Sequence, residues 1–243
     1  MLKFAALLAV LGCALVWFNP PTHALVAIVG DGPKHTASSG IAFDSAADLG
    51  NNSGSGNFST SYNNPAGNLL VVCVAGSDGS DSSPVATYNS VSMTQINTWG
   101  SGLGTRWTYQ FSLLSPDTGS HTLAITQTGG NYLIVTAADY TGVGLSGQPD
   151  STGATSTGTS VTSLDTPITI VDGTSWVVLC SSASSSMTGN GSNMTSRTHD
   201  VAFSNLNMLD SAAVIGSSGV FNANAHASST VTGMAGVAVA YHP

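Results

Sequence analysis

The sequence contains no glutamate, and its only lysines and arginines are Lys3, Lys34, Arg106 and Arg197. Charged residues make up 7% of the 243 positions. Glu, Lys and Arg furnish the solvent faces of most helices, so their scarcity excludes a largely helical protein. The formal net charge of -8 leaves no basic surface on which nucleic-acid phosphates could be neutralised. Without Glu there is no Glu pair for glycoside hydrolysis, and the Asp residues fall mostly in turn-like sequence. His35, His121, His199, His226 and His242 show neither His-x-His nor His-x-x-x-His spacing, so zinc has no motif to occupy. Serine is plentiful, but no Gly-x-Ser-x-Gly stands between a strand and a helix. These absences point to a protein that is not an enzyme and carries no cofactor.

What is present is a string of short apolar runs separated by Gly, Ser, Thr, Asn and Pro, with 28 glycines in all. The amino terminus differs: Lys3 precedes an apolar run from Phe4 to Phe18, then Asn19-Pro20-Pro21 and Thr22-His23-Ala24. A basic start, an apolar stretch, a breaker and small residues match a secretory signal, with cleavage expected between Ala24 and Leu25. The run is shorter than the roughly 20 residues that span a bilayer, so no stable membrane span is expected. A retained anchor and lipidation at Cys13, in Val10-Leu11-Gly12-Cys13, are the alternatives. The expected organisation is a signal over 1–24 and one domain over 25–243, located outside the cell, anchored at its surface or on a virion.

Beyond the signal there are no heptads and no repeat of 20 to 50 residues. Candidate strands are 25–30, 56–62, 68–75, 85–88, 91–98, 105–114, 120–127, 131–140, 167–171, 174–181, 208–216, 219–227 and 234–241. Many short strands between turn residues indicate an all-β, antiparallel sandwich or jelly roll of about a dozen strands. Ser115-Pro116-Asp117-Thr118-Gly119 supplies Pro and Gly where a tight reversal uses fixed and positive φ, and Asn89-Ser90 reads as a hairpin tip. The polar segments 142–167 and 182–195 read as surface loops.

The order of GNLLVVCVAG, VATYNSVSMTQI, FSLLSPDTGSHTLAITQTGGNYLIVTAADYTGV, SWVVLCSS and AGVAVAYHP resembles a jelly-roll, concanavalin-like β-sandwich domain of secreted bacterial and phage structural proteins. The resemblance covers roughly residues 60 to 243. It implies a single sandwich of jelly-roll type and a surface location, since most such domains have no assigned activity. Ser90 departs from the pattern, which prefers Gly there for its tolerance of positive φ.

Cys73 and Cys180 each sit late in an apolar run. No base lies near either in sequence, so a nucleophile is disfavoured. A disulfide and two buried free thiols both remain open; a bond closing a loop of about 100 residues is worth about 4–5 kcal/mol in the chain-entropy model. Asp78 and Asp81, in a Gly- and Ser-rich loop, are a candidate Ca²⁺ site, the alternative being a solvated turn. Trp99 and Trp107 flank a glycine loop and could stack on a sugar ring, or simply close the end of a sandwich. Asn51, Asn57, Asn190 and Asn193 match the Asn-x-Ser/Thr glycosylation pattern.

Two functions follow. The first is an extracellular structural protein that assembles with copies of itself into a filament, a coat or a virion surface. The alternative is a secreted carbohydrate-binding or adhesion module whose partners are surface glycans.

Overall fold

The most apolar runs of the sequence form the middle of the molecule. The computed structural model describes residues 40–53, 57–65, 67–77, 83–99, 106–128, 132–171, 173–184, 187–190, 194–200, 205–210 and 217–243. All belong to one compact unit, Thr36–Pro243. Residues Ala24 and Leu25, and the candidate strand 25–30, lie outside the described residues.

The first half of the unit holds β1 (Ala42–Asn52), β2 (Phe58–Asn64), β3 (Leu69–Ser77), β4 (Val85–Tyr88), β5 (Val91–Ser92), β6 (Thr94–Trp99), β7 (Arg106–Leu114), β8 (Gly119–Thr126) and β9 (Leu133–Thr141). The second holds β10 (Ser151–Gly158), β11 (Val161–Ile170), β12 (Trp176–Ala183), β13 (Met187–Asn190), β14 (Thr195–Asp200), β15 (Asn205–Asp210), β16 (Gly219–Val231) and β17 (Met234–Tyr241). The described residues are thus all-β, with seventeen strands where the patterning leads to about a dozen. Every pairing among them is antiparallel.

The strands make four sheets. A first outer sheet has the order β2-β8-β4-β5, and a first inner sheet β1-β9-β3-β7-β6. A second inner sheet has the order β10-β17-β12-β15-β14, and a second outer sheet β11-β16-β13. They stack in that sequence, with a core in each of the three gaps. Leu70, Val72 and Val74 of β3 face Phe58, Tyr62, Tyr88 and Leu123 of the first outer sheet. Leu69, Val71 and Cys73, on the opposite face of β3, meet Val178, Cys180 and Val237 of the second inner sheet. Val177 and Leu179 then face Leu164, Ile168 and Ala225 of the second outer sheet. Successive side chains of a strand point to opposite faces, so a strand between two cores must be apolar at every position. That is why Leu69–Ala75 and Trp176–Cys180 are uninterrupted apolar runs, buried throughout.

The two halves repeat one chain path. Replacing β1, β2, β3, β4, β6, β7, β8 and β9 in turn by β10 to β17 converts the first pair of sheets into the second; β5 has no counterpart among the described residues. The register agrees. Leu69 lies opposite Tyr140 and Trp176 opposite Tyr241, and at the same step along each strand Cys73 faces Thr136 and Cys180 faces Val237. A bulge between Gln95 and Asn97 in β6 recurs between Ser196 and Thr198 in β14. Contacts between the inner sheets are reciprocal: β1 packs on β14 as β10 does on β6, and β9 on β15 as β17 does on β7. This is the contact pattern of an isologous dimer interface, here within one chain.

Two turns carry their expected chemistry. Asn89 and Ser90 have φ of 47 and 65 degrees, the pair of positive values that a two-residue hairpin of the primed type requires. Gly119 has φ of 97 degrees at the end of the Pro116 reversal.

The polar segments depart from expectation. Much of 142–167 is not loop: β10 pairs with β17, and β11 with β16. Within 182–195, Met187–Asn190 forms β13 on the other edge of β16. β10, β11 and β13 all lie at sheet edges; β10 and β13 are rich in Ser, Thr and Gly and show no apolar alternation, whereas β11 alternates, with Leu164, Ile168 and Ile170 buried, and its end coincides with the candidate strand 167–171.

Candidate functional site

Cys73 and Cys180 are joined by a disulfide across the central core, with Cα atoms 5.6 Å apart and 107 residues of separation. The spacing is within the ordinary range for a disulfide. Both cysteines are wholly buried. The bond links equivalent positions of the two halves, and therefore lies on the approximate two-fold axis that relates them. Around it, Thr108 Oγ1 and Ser182 Oγ are 2.6 Å apart across the same gap, and Gln110 Nε2 donates to the Tyr241 hydroxyl at 3.5 Å. Burial pushes the Tyr241 hydroxyl well above the usual phenol range.

Trp107 is also wholly buried, in the core between the first two sheets, edge-on to Tyr109 with centroids 5.4 Å apart. Its ring is therefore not a platform for a sugar. It lies over the backbone of Gly76, where an added Cβ would come within 1.9 Å of the ring. Trp99 ends β6, with its backbone opposite Thr108. The proposed Ca²⁺ ligands Asp78 and Asp81 lie outside the described residues, as does Asn193. Asn51 is exposed on β1. Asn57 is exposed, yet its Oδ1 accepts from the Gln127 backbone N–H at 3.2 Å. Asn190 ends β13.

The strongest concentration of polar chemistry is one that the sequence analysis passed over. Asp139, on β9, is wholly buried and meets Ser45 of β1 and Tyr62 of β2. Its Oδ2 accepts from the Tyr62 hydroxyl at 2.5 Å and from Ser45 Oγ at 3.2 Å. Its Oδ1 is buried with no hydrogen-bond partner. Gly67 makes room for the carboxyl, since a Cβ there would sit 2.9 Å from Asp139 Cβ. Burial pushes the Asp139 carboxyl up from 3.8 to about 6, against the lowering effect of Tyr62 and Ser45. Burial, and then the neighbouring carboxylate, push the Tyr62 hydroxyl well above the phenol range. An acid inside the apolar run Tyr132–Tyr140 was the signal available in the sequence.

A second acidic contact crosses between the halves. Asp48 of β1 is raised above the usual carboxylate range, first by partial burial and then by Asp200 of β14. Nearby, the Arg197 guanidinium stacks over the Phe43 ring at 4.0 Å. Among the described residues no three His, Cys, Asp or Glu side chains come together as a metal site. A cleft of about 290 Å³ opens beside β6 and β7, lined by Thr94, Ile96, Ser112, Leu114, Gln148 and Pro149. None of these described side chains titrates.

No protein-family model, no curated protein and no solved structure matches this chain.

Proposed function

We propose that this protein is a non-enzymatic, extracellular structural subunit, built from two fused jelly rolls, that assembles with copies of itself. The strand order of each half supports the jelly-roll reading: eight strands wind so that the first lies beside the eighth and the second beside the seventh. The disulfide suits an oxidising, exported setting, in which such bonds persist.

The observation that carries the assembly reading is the outward face of the first outer sheet. Ser59, Ser61, Asn63, Val85, Ser92, Ser120, Thr122 and Thr126 are exposed there, and among the described residues of its strands this face carries no charged side chain. Monomeric proteins usually place Lys and Glu on such a face, because charge keeps sheets from stacking. Short neutral side chains lose little rotamer freedom on burial, so the face can meet another flat surface at low entropic cost. The polar groups of the interior serve to tie strands together, which supports a scaffold over a catalyst.

Light scattering over a concentration series, with electron microscopy of the concentrated protein, tests the assembly. The expected result is a concentration-dependent oligomer or fibre that Thr122→Lys disperses while the fold is retained. A monomer at every concentration, with no particles, overturns the reading.

A further inference from the structure

We propose that Asp139, Tyr62 and Ser45 form a proton-sensitive latch that holds the first outer sheet to the first inner sheet. The inference does not depend on the assembly reading. Ser45 and Asp139 belong to the inner sheet and Tyr62 to the outer one, so the cluster spans the gap between them. A neutral carboxyl keeps all its polar atoms acceptable: Oδ2 exchanges hydrogen bonds with Tyr62 and Ser45, and Oδ1 is a carbonyl-like oxygen. Loss of the proton to solvent leaves half a negative charge on Oδ1, which is buried and has no donor. An unpaired buried charge is far costlier than an unpaired carbonyl.

Beyond the two hydrogen bonds to Oδ2, nothing among the described residues that faces the cluster offsets this cost. From β1, Asp44 adds a charge of the same sign. From β2, Tyr62 donates one hydrogen bond and its ring meets Tyr88 of β4 edge-on at 6.4 Å. The Tyr88 hydroxyl is committed to the carbonyls of Tyr62 and Gly119. His121 of β8 packs edge-on against Tyr88, and Asp117 binds Asn89 at 2.7 Å. Opposite Asp139 on β3 stands Leu70, which is apolar. The position equivalent to Asp139 in the second half is Ala240, so the latch exists in the first half only.

The sign of the effect follows from linkage. With the folded carboxyl raised from 3.8 to about 6, the folded chain holds the extra proton between those values. Stability from this group is therefore greatest in acid, falls as pH rises through that window, and is level above it. Thermal melting from pH 4 to pH 8 of the wild type and Asp139→Asn tests the latch. Asparagine retains a polar group at Oδ2 and cannot ionise. The melting temperature of Asp139→Asn should gain on the wild type by about 5–10 °C between pH 4 and pH 7, and no further above it. A second reading uses infrared spectroscopy of the wild type and Tyr62→Phe. A protonated-carboxyl band should vanish with a midpoint near pH 6, and Tyr62→Phe should move that midpoint upward by removing a donor to the ionised form. A gap between the two melting curves that stays constant with pH overturns the latch. So does a band absent in mild acid, or one whose midpoint Tyr62→Phe leaves unmoved.

Discussion

In the first half, Phe58, Tyr62, Tyr88, Trp107, Tyr109 and Phe111 fill the space between outer and inner sheets. Among the described residues of the second half the same space holds Leu164, Ile168, Ile170 and Leu179 with Ala223, Ala225 and Ala227 and with Met187, Met194 and Met234. Both halves use one strand order and one register, yet among the described residues the first core is filled largely by rings and the second by methionine, alanine and branched aliphatic side chains such as Leu164, Ile168 and Leu179. The comparison teaches that the path of the chain depends on which face of each strand is apolar, while the identity of the filler is free as long as the gap is closed. It also shows the cost of each solution. The Trp107 ring demands a glycine beneath it, at Gly76, whereas the equivalent position in the second half, Ala183 opposite Asn205, carries a methyl group.

The largest test of this contrast is to empty the aromatic core. Trp107→Ala should destabilise the protein by about 3–5 kcal/mol in denaturant unfolding, since the rigid walls around a ring collapse poorly. Next is the bond that holds the halves together. Cys73→Ala and Cys180→Ala should each cost about 2–5 kcal/mol under oxidising conditions, and the double variant little more than either alone, because all three remove one cross-link. Smaller still is Gly76→Ala, expected to cost about 1–3 kcal/mol through its collision with Trp107. Combined with Trp107→Ala, the same change should cost much less, so a double-mutant cycle gives a double variant cheaper than the sum of the two singles. If Gly76→Ala is as costly without the ring, the link between filler and glycine is wrong. The smallest effect is expected at the contact between the halves. Asp48→Asn should raise the melting temperature slightly near neutral pH and leave it unchanged in acid, because the raised carboxyl of Asp48 costs stability only once it ionises beside Asp200.

The legible parts of the fold share a physical cause. β3, β9, β12 and β17 lie between two cores and must be apolar on both faces, so their runs stand out in any reading. The hairpin at Asn89-Ser90 and the reversal at Gly119 are legible because few residues tolerate positive φ. The strands that escaped notice, β1, β10, β13 and β14, lie at edges and are paired on one side only. Both readings of Trp107 stayed open in the sequence because a ring beside a glycine-rich loop looks the same there whether it points out or in. Asp139 was missed because it lies in a run whose other members are apolar, and only its neighbours Tyr62 and Ser45, remote in sequence, make it a cluster.

By itself, the sequence determined that this chain is built of β-strands, where its central strands lie and where it turns, because periodicity, glycine and proline act locally. Only the tertiary structure decided that the strands divide into two equivalent halves, that Cys73 and Cys180 meet on the axis between them, and that one acid is shut away from water. Those outcomes depend on which faces pack together across more than 100 residues of chain, and no local pattern records that choice.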